Sequence, residues 1–237
     1  MIKLGKLLSE ALFPRSFTCD LCGIETFGNS LCPDCLKTVT YNNGTVCPVC
    51  GRKTAIAEIC MECKAKAPVF KKAVSPLIYE NGAKVLIAKF KNGSAYLKDY
   101  FAEIIADKLK DFPEFDYIVS VPMTKKRERE RGYNQSALLA KSLSERIGIP
   151  FLSNALIKTK ETSAQKSLSR KEREKNLTGC FKVEKRDLIK GKTVLLVDDI
   201  LTTGATAEAI GNKLLGAGAK RIYLATVASV EYKPNKD

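Results

Sequence analysis

The sequence predicts an α/β fold, a mostly parallel sheet with helices on both faces, preceded by a small cysteine-rich module. Three observations carry this. Eight of the nine cysteines fall into four CxxC pairs within residues 19–63. From residue 73 onward, short apolar strand-like runs alternate with stretches that repeat apolar residues at helical spacing. One such run ends in two aspartates followed by a small, hydroxyl-rich segment. Strand and helix in alternation build a parallel sheet covered on both sides, with ligands beyond the carboxyl ends of its strands. A chain of 237 residues, 45% hydrophobic, has room for one ordinary core and a small appendage, so the division predicted is 1–70 and 71–237.

Residues 1–13 set Lys3 and Lys6 among Leu4, Leu7, Leu8 and Leu12, the pattern of a short amphipathic helix. They lack the uninterrupted apolar core and small-residue cleavage site of a signal peptide. The cysteines follow. Cys19, Cys22, Cys32 and Cys35 form one foursome and Cys47, Cys50, Cys60 and Cys63 a second, each with nine residues between its two pairs, which marks an internal duplication. A CxxC turn aims two thiolates at one ion, and two such turns complete a closed tetrahedral shell suited to Zn²⁺ in a structural role. The chain contains no histidine, so the soft ligands are all sulfur. An iron–sulfur cluster is the rival metal site, and disulfides would need an oxidising compartment. Sequential pairing gives two structural zinc ions; interleaved pairing satisfies the same spacing. So short a segment buries little core, and metal binding is expected to supply most of its folding free energy. Cys180 lies outside the pattern and reads as a small buried residue.

The α/β elements come in order. Residues 74–79 read as a strand, 83–90 and 96–109 as helices, 117–121 as a short strand stopped by Pro122, and 136–147 as a helix. Residues 155–157 read as a brief strand, and 193–197 as a buried strand by their β-branched content. Residues 206–215 form a helix ended by Gly216 and Gly218, and 222–227 the last strand.

The stretch Val194-Leu-Leu-Val-Asp198-Asp199-Ile-Leu-Thr202-Thr203-Gly204-Ala205-Thr206 is the most informative. It sets two carboxylates where a strand leaves the sheet, then a loop that opens a helix. Amides at a helix N-terminus hold a phosphate, Gly204 permits close approach, and threonine hydroxyls add donors. Carboxylates beside a phosphate must face something else, for which sugar hydroxyls and Mg²⁺ are suited. The competing reading is a charged strand end that caps the next helix.

This string resembles the phosphoribosyl pyrophosphate signature of type I phosphoribosyltransferases. Nearly the whole chain resembles the ComF/GntX family: an N-terminal helix ending in Pro14, double zinc ribbons, Tyr79-x-x-Gly82, and Arg131-Gly-Tyr-Asn-Gln135. The resemblance implies that Asp198 and Asp199 take the ribose hydroxyls and that Thr202, Thr203, Gly204, Ala205 and Thr206 surround the 5′-phosphate. It sets residues 120–124, including Val121, Pro122 and Met123, in the place of the pyrophosphate loop. Residues 160–176 take the place of the mobile catalytic loop, with Gln165, Leu168, Arg170, Arg173 and Asn176 on the family pattern. Asp198, Asp199, Arg170 and Arg173 are the candidate catalytic residues. Lys125, Lys126, Arg127, Arg129 and Arg131 offer donors to a pyrophosphate, Arg127 and Arg131 foremost. The same residues also read as a solvated basic helix start.

Forty Lys and Arg against 26 Asp and Glu give a net charge of +14, and residues 120–175 hold 14 of the basic against six of the acidic residues. Such a segment serves a polyphosphate, a nucleic-acid backbone, or solvation alone. The family includes a competence protein linked to DNA uptake, which implies single-stranded DNA and other competence proteins, such as a DNA-translocating ATPase, as partners. Aromatic residues for base stacking are sparse in the basic segment, with only Tyr133 and Phe151. The functions expected are a phosphoribosyltransferase, a DNA-handling adaptor, or a phosphoribosyl pyrophosphate sensor on the same fold. No apolar run approaches the ~18 residues that span a bilayer. A cytoplasmic protein without membrane insertion is expected.

Overall fold

The computed structural model describes residues 18–26, 31–161, 177 and 179–232. The candidate residues Arg170 and Arg173, the other family-pattern residues of 162–176, and the N-terminal amphipathic segment lie outside the described residues.

Two one-turn helices, α1 (Pro33–Lys37) and α2 (Met61–Ala65), each start at the third cysteine of a foursome. Strands β1 (Ala73–Val74) and β2 (Leu77–Ile78) follow, then α3 (Asn81–Lys91), α4 (Leu97–Leu109), β3 (Tyr117–Ser120), α5 (Lys125–Arg131) and α6 (Gln135–Ile147). The chain continues through β4 (Leu156–Lys158), β5 (Phe181–Val183), α7 (Arg186–Ile189), β6 (Thr193–Leu201), α8 (Ala205–Gly216) and β7 (Arg221–Ser229).

The central sheet is entirely parallel in the order β1-β7-β6-β3, with β2 beside β7 further along the same edge. The strand expected over 74–79 is thus two short pieces. Pro76 has no N–H for the ladder, its carbonyl accepts from Asn42 N at 2.7 Å, and the Ser75 hydroxyl pairs with Thr226 Oγ1 at 2.6 Å. β4 and β5 form a separate antiparallel pair, and only the first was predicted. Three-residue strands carry too little periodicity to be read from sequence.

Alternation along β6 divides the core. Leu195 and Val197 face α3, α4 and α6, whereas Val194 and Leu196 face α8 and the β4–β5 pair. Helices therefore cover both faces, as expected. The duplicated cysteine foursomes are also divided by the sheet. Cys19, Leu31 and Val39 join the α3–α4 side, while Cys47, Cys50, Cys60 and Cys63 are buried with Phe70, Leu201 and Ala205 on the α8 side. Cys180 is buried in that second cluster.

Backbone contacts seat the second foursome. Ala73 N donates to Val49 O at 2.8 Å, and Asn42 Nδ2 donates to Gly51 O at 2.8 Å and Ser75 O at 3.1 Å. Gly51 has φ +67°, and a Cβ there would lie 2.5 Å from Ala73 O. Gly51→Ala therefore meets both a left-handed backbone and a rigid carbonyl, and is expected to cost on the order of 3 kcal/mol in urea unfolding. A loss below about 0.5 kcal/mol would show that the ribbon slides freely on β1.

Candidate ligand cleft and metal centres

β6 does not end at Val197. It runs on to Leu201 because β7 is equally long and keeps pairing with it, Asp198 with Thr226 and Leu201 with Ser229. On the other side β3 stops at Ser120, and its last contact is Val121 N to Val197 O at 2.9 Å. Past Val197 no strand among the described residues pairs with this edge of β6, and the acidic pair stands there while still inside the strand. Sequence reading set the pair at the strand's exit; a long partner strand moves the exit by four residues.

The first residues of α6 hold both carboxylates. Ser136 Oγ donates to Asp198 Oδ1 at 2.9 Å, and Gln135 Nε2 donates to Asp199 Oδ2 at 2.9 Å. Lys91, at the end of α3, pairs with Asp199 Oδ2 at 2.9 Å. Burial, with the adjacent Asp199 carboxylate adding to it, pushes the Asp198 carboxyl up to about 7. After Leu201 the chain turns through residues 202–204 into α8. Gly204 takes φ +78°, and Ala205 N donates to Thr203 Oγ1 at 3.4 Å. Asp198 and residues 202–206 line one small crevice, so the carboxylate and the helix start face the same space.

Opposite stands the basic segment, which the structure sorts. Thr124 caps α5 by accepting from Arg127 N, and Gly132, at φ +91°, ends it. Arg127 and Arg131, one turn apart, line a cleft of about 520 Å³ together with Val121, Pro122, Met123, Asp198, Asp199 and Thr206. Arg131 Nη1 donates to Gln135 Oε1 at 2.6 Å, so Gln135 bridges an arginine and an aspartate. Lys126 and Arg129 are exposed and do not line that cleft. Lys91 and Gln135 were missed as site residues. Gln135 was visible within the Arg-Gly-Tyr-Asn-Gln string, whereas nothing local distinguishes Lys91 from its neighbours Lys84 and Lys89.

Both foursomes gather as sequential sets, with their sulfurs within 4.8 Å of one another. A tetrahedral ion bound at about 2.3 Å sets neighbouring sulfurs about 3.8 Å apart. Cys22 and Cys32 Sγ lie 3.8 Å apart, as do Cys50 and Cys60 Sγ, so both donor sets fit zinc. Burial opposes a charged Cys47, yet backbone N–H donors draw its thiol down to about 7, while burial and neighbouring thiolates push Cys63 up. Four thiolates cannot coexist there without a cation.

The two ribbons back opposite walls of the cleft. The first carries α3: Lys89 Nζ donates to Asp20 O, and Tyr96 OH donates to Asp20 Oδ1 at 2.8 Å. The second lies behind the loop that opens α8. Cys50, Cys63 and Phe70 share a crevice with Leu201, Thr203, Gly204 and Ala205, and Glu208 accepts from Val69 N at 3.0 Å.

Fold and cleft together define a phosphoribosyltransferase-type α/β domain backed by two four-cysteine ribbons. Residues 100–237 match the phosphoribosyl transferase domain model, and residues 8–64 match the double zinc ribbon domain model. The chain is 31% identical to the DNA utilization protein YhgH of Escherichia coli (strain K12), over 82% of this chain and 88% of that one. It is 30% identical to competence protein F of Haemophilus influenzae, over 88% and 95%. Competence protein ComFC of Bacillus subtilis (strain 168) is 26% identical, over 91% and 90%. The chain belongs to the ComF/GntX family of phosphoribosyltransferase-domain proteins with a double zinc ribbon.

Proposed function

We propose that the cleft binds phosphoribosyl pyrophosphate with Mg²⁺ and that the protein acts in the handling of DNA taken up during natural transformation. The observation that carries the first part is that the paired carboxylate and two arginines on one face of α5 line one cleft, and that Asp198 and Thr206 also line the small crevice formed by the glycine-led start of α8. Each suits a different part of that ligand. The α8 start, with Thr202, Thr203 and Thr206, takes the 5′-phosphate. Asp198 and Asp199 accept from the ribose hydroxyls, and Arg127 and Arg131 neutralise the pyrophosphate. Mg²⁺, for which the oxygen-only pair is a suitable hard donor set, would balance charge on the leaving group. In a transfer, pyrophosphate leaves C1 of the ribose and an acceptor replaces it. Arg170 and Arg173 are proposed to cover the bound ligand and exclude water. The two-ion zinc complement and the division at residue 70 belong to the same reading.

The names of the relatives support the second part. Direct stacking of a DNA strand on the basic segment is disfavoured by how its aromatics are used. Tyr133 OH donates to Phe90 O and accepts from Gly93 N at 3.1 Å, and Phe151 packs against the α3–α4 core. Phosphate contacts from the exposed residues of α5 are the better route to a single strand, in an adaptor as in an enzyme.

Calorimetric titration of zinc-loaded protein with phosphoribosyl pyrophosphate decides the first part. Saturable binding near one equivalent that requires Mg²⁺ is expected. An absence of heat with Mg²⁺ present overturns the reading and turns attention to single-stranded DNA, whose affinity should fall with salt in proportion to the phosphates contacted.

A further inference from the structure

Arg52 takes no part in the cleft and matches no motif in the sequence, yet among the described residues it is the one buried Lys or Arg, at 6% exposure. Its guanidinium forks onto Glu62, Nη2 to Oε2 at 2.9 Å and Nη1 to Oε1 at 3.3 Å. Its remaining N–H groups turn to the cysteines: Nε donates to Cys50 Sγ at 3.4 Å, and Nη2 points at Cys60 Sγ at 3.8 Å. The ring of Tyr232 lies 5.5 Å from the guanidinium carbon, and Tyr232 N donates to Lys53 O at 3.0 Å. Carboxylate, ring and two sulfurs thus fix the guanidinium plane from several sides, a geometry that an ammonium cannot reproduce.

The charge balance supplies the reason. Four thiolates around a divalent cation leave a net charge of about −2, and all four cysteines of this set are buried. Such charge requires donors to sulfur and a compensating cation, and outer-shell groups of this kind strengthen metal retention. The first set is built differently. Cys22 is exposed, Cys32 and Cys35 are half-buried, and the cation that α3 sends there, Lys89, donates to the carbonyl oxygens of Asp20 and Leu21.

We propose that Arg52 is a positioning residue of the second metal centre. It orients Cys50 and Cys60, offsets the charge of the four thiolates, and makes the second centre hold its ion more tightly than the first. The proposal rests on the cysteine geometry alone and stands or falls independently of what the cleft binds.

The test is zinc release from the full-length protein to the chromogenic chelator 4-(2-pyridylazo)resorcinol. Two phases are expected, a fast one that disappears in Cys35→Ser and a slow one from the second centre. Arg52→Met should accelerate the slow phase about 10- to 100-fold and leave the fast phase unchanged. Arg52→Lys should restore only part of the difference. Glu62→Gln, which leaves the arginine and the thiolates in place, should give a smaller acceleration of the same phase, and keeps the test valid if Arg52→Met folds poorly. In the cobalt-substituted protein, the sulfur-to-cobalt charge-transfer band of the second centre should shift in Arg52→Met, which a merely structural role would not cause. The proposal is overturned if the slow phase is unchanged in Arg52→Lys and Glu62→Gln, or if both phases accelerate equally.

Discussion

Asp198→Asn combined with Asp199→Asn is expected to lower affinity for phosphoribosyl pyrophosphate and Mg²⁺ by at least about 100-fold, since two charge-assisted acceptors are lost. Asp198→Asn alone should at the same time raise thermal stability at alkaline pH. Burial and the neighbouring Asp199 carboxylate push the Asp198 carboxyl up to about 7 from its ordinary value near 4. The sign follows from proton linkage. Between those two values the folded chain holds a proton that the unfolded chain has released, so stability falls as pH rises from about 4 and levels off above about 7. A neutral asparagine removes that loss. Calorimetric melting should find the variant and the parent within about 1 °C at pH 4, and the variant higher by roughly 3–6 °C at pH 8. Ligand affinity of the parent should strengthen from pH 6 to pH 8 as Asp198 ionises. A variant that melts lower than the parent at pH 8 would mean that the Ser136–Asp198 hydrogen bond outweighs the buried charge.

The second large effect concerns the cysteines, and the two ribbons should not respond alike. Cys50→Ser opens a set whose four members are buried in the core shared with Phe70, Leu201 and Ala205. Its loss is expected to cost more than about 4 kcal/mol, and to lower the melting temperature by about 10 °C or more. Cys35→Ser opens the half-buried set beside α3, and a smaller drop is expected. Zinc content by mass spectrometry should fall from two ions to one in each variant. Hydrogen exchange should then separate the consequences. The start of α8 loses protection in the first variant, and the end of α3 in the second. Equal and small changes in both would show that the ribbons are appended to the domain and do not support its walls.

Much of this was legible along the chain. The CxxC spacing marked all eight cysteines as ligands, and the structure selected the sequential foursomes over the interleaved ones. The long helices α3, α4, α6 and α8 declared themselves by period, because a stripe of apolar residues is a local signature. The strand–Asp–Asp–threonine–glycine string likewise holds its chemistry within a few residues, and the structure brings Asp198, Asp199, Thr206, Val121, Pro122, Met123, Arg127 and Arg131 to one cleft. Other features depended on residues far apart in sequence. The length of β6 follows from β7, and the break at Ser75 and Pro76 from Asn42 and Thr226. Which of five neighbouring basic residues face the cleft follows from the one-turn repeat of a helix too short and too polar to be read by apolar period.

The sequence by itself determined which chemical groups are on offer: two all-sulfur donor sets, an acidic pair ahead of a glycine- and threonine-rich loop, and a basic segment. Only the tertiary structure decided that the duplicated ribbons lie on opposite faces of one sheet, that Lys91 and Gln135 hold Asp199, and that Arg52 lies against the thiolates of the second ribbon. The physical reason is that ligand type is a property of single side chains at short spacing. Burial, charge compensation and strand length are set by partners that only folding brings within a few ångströms.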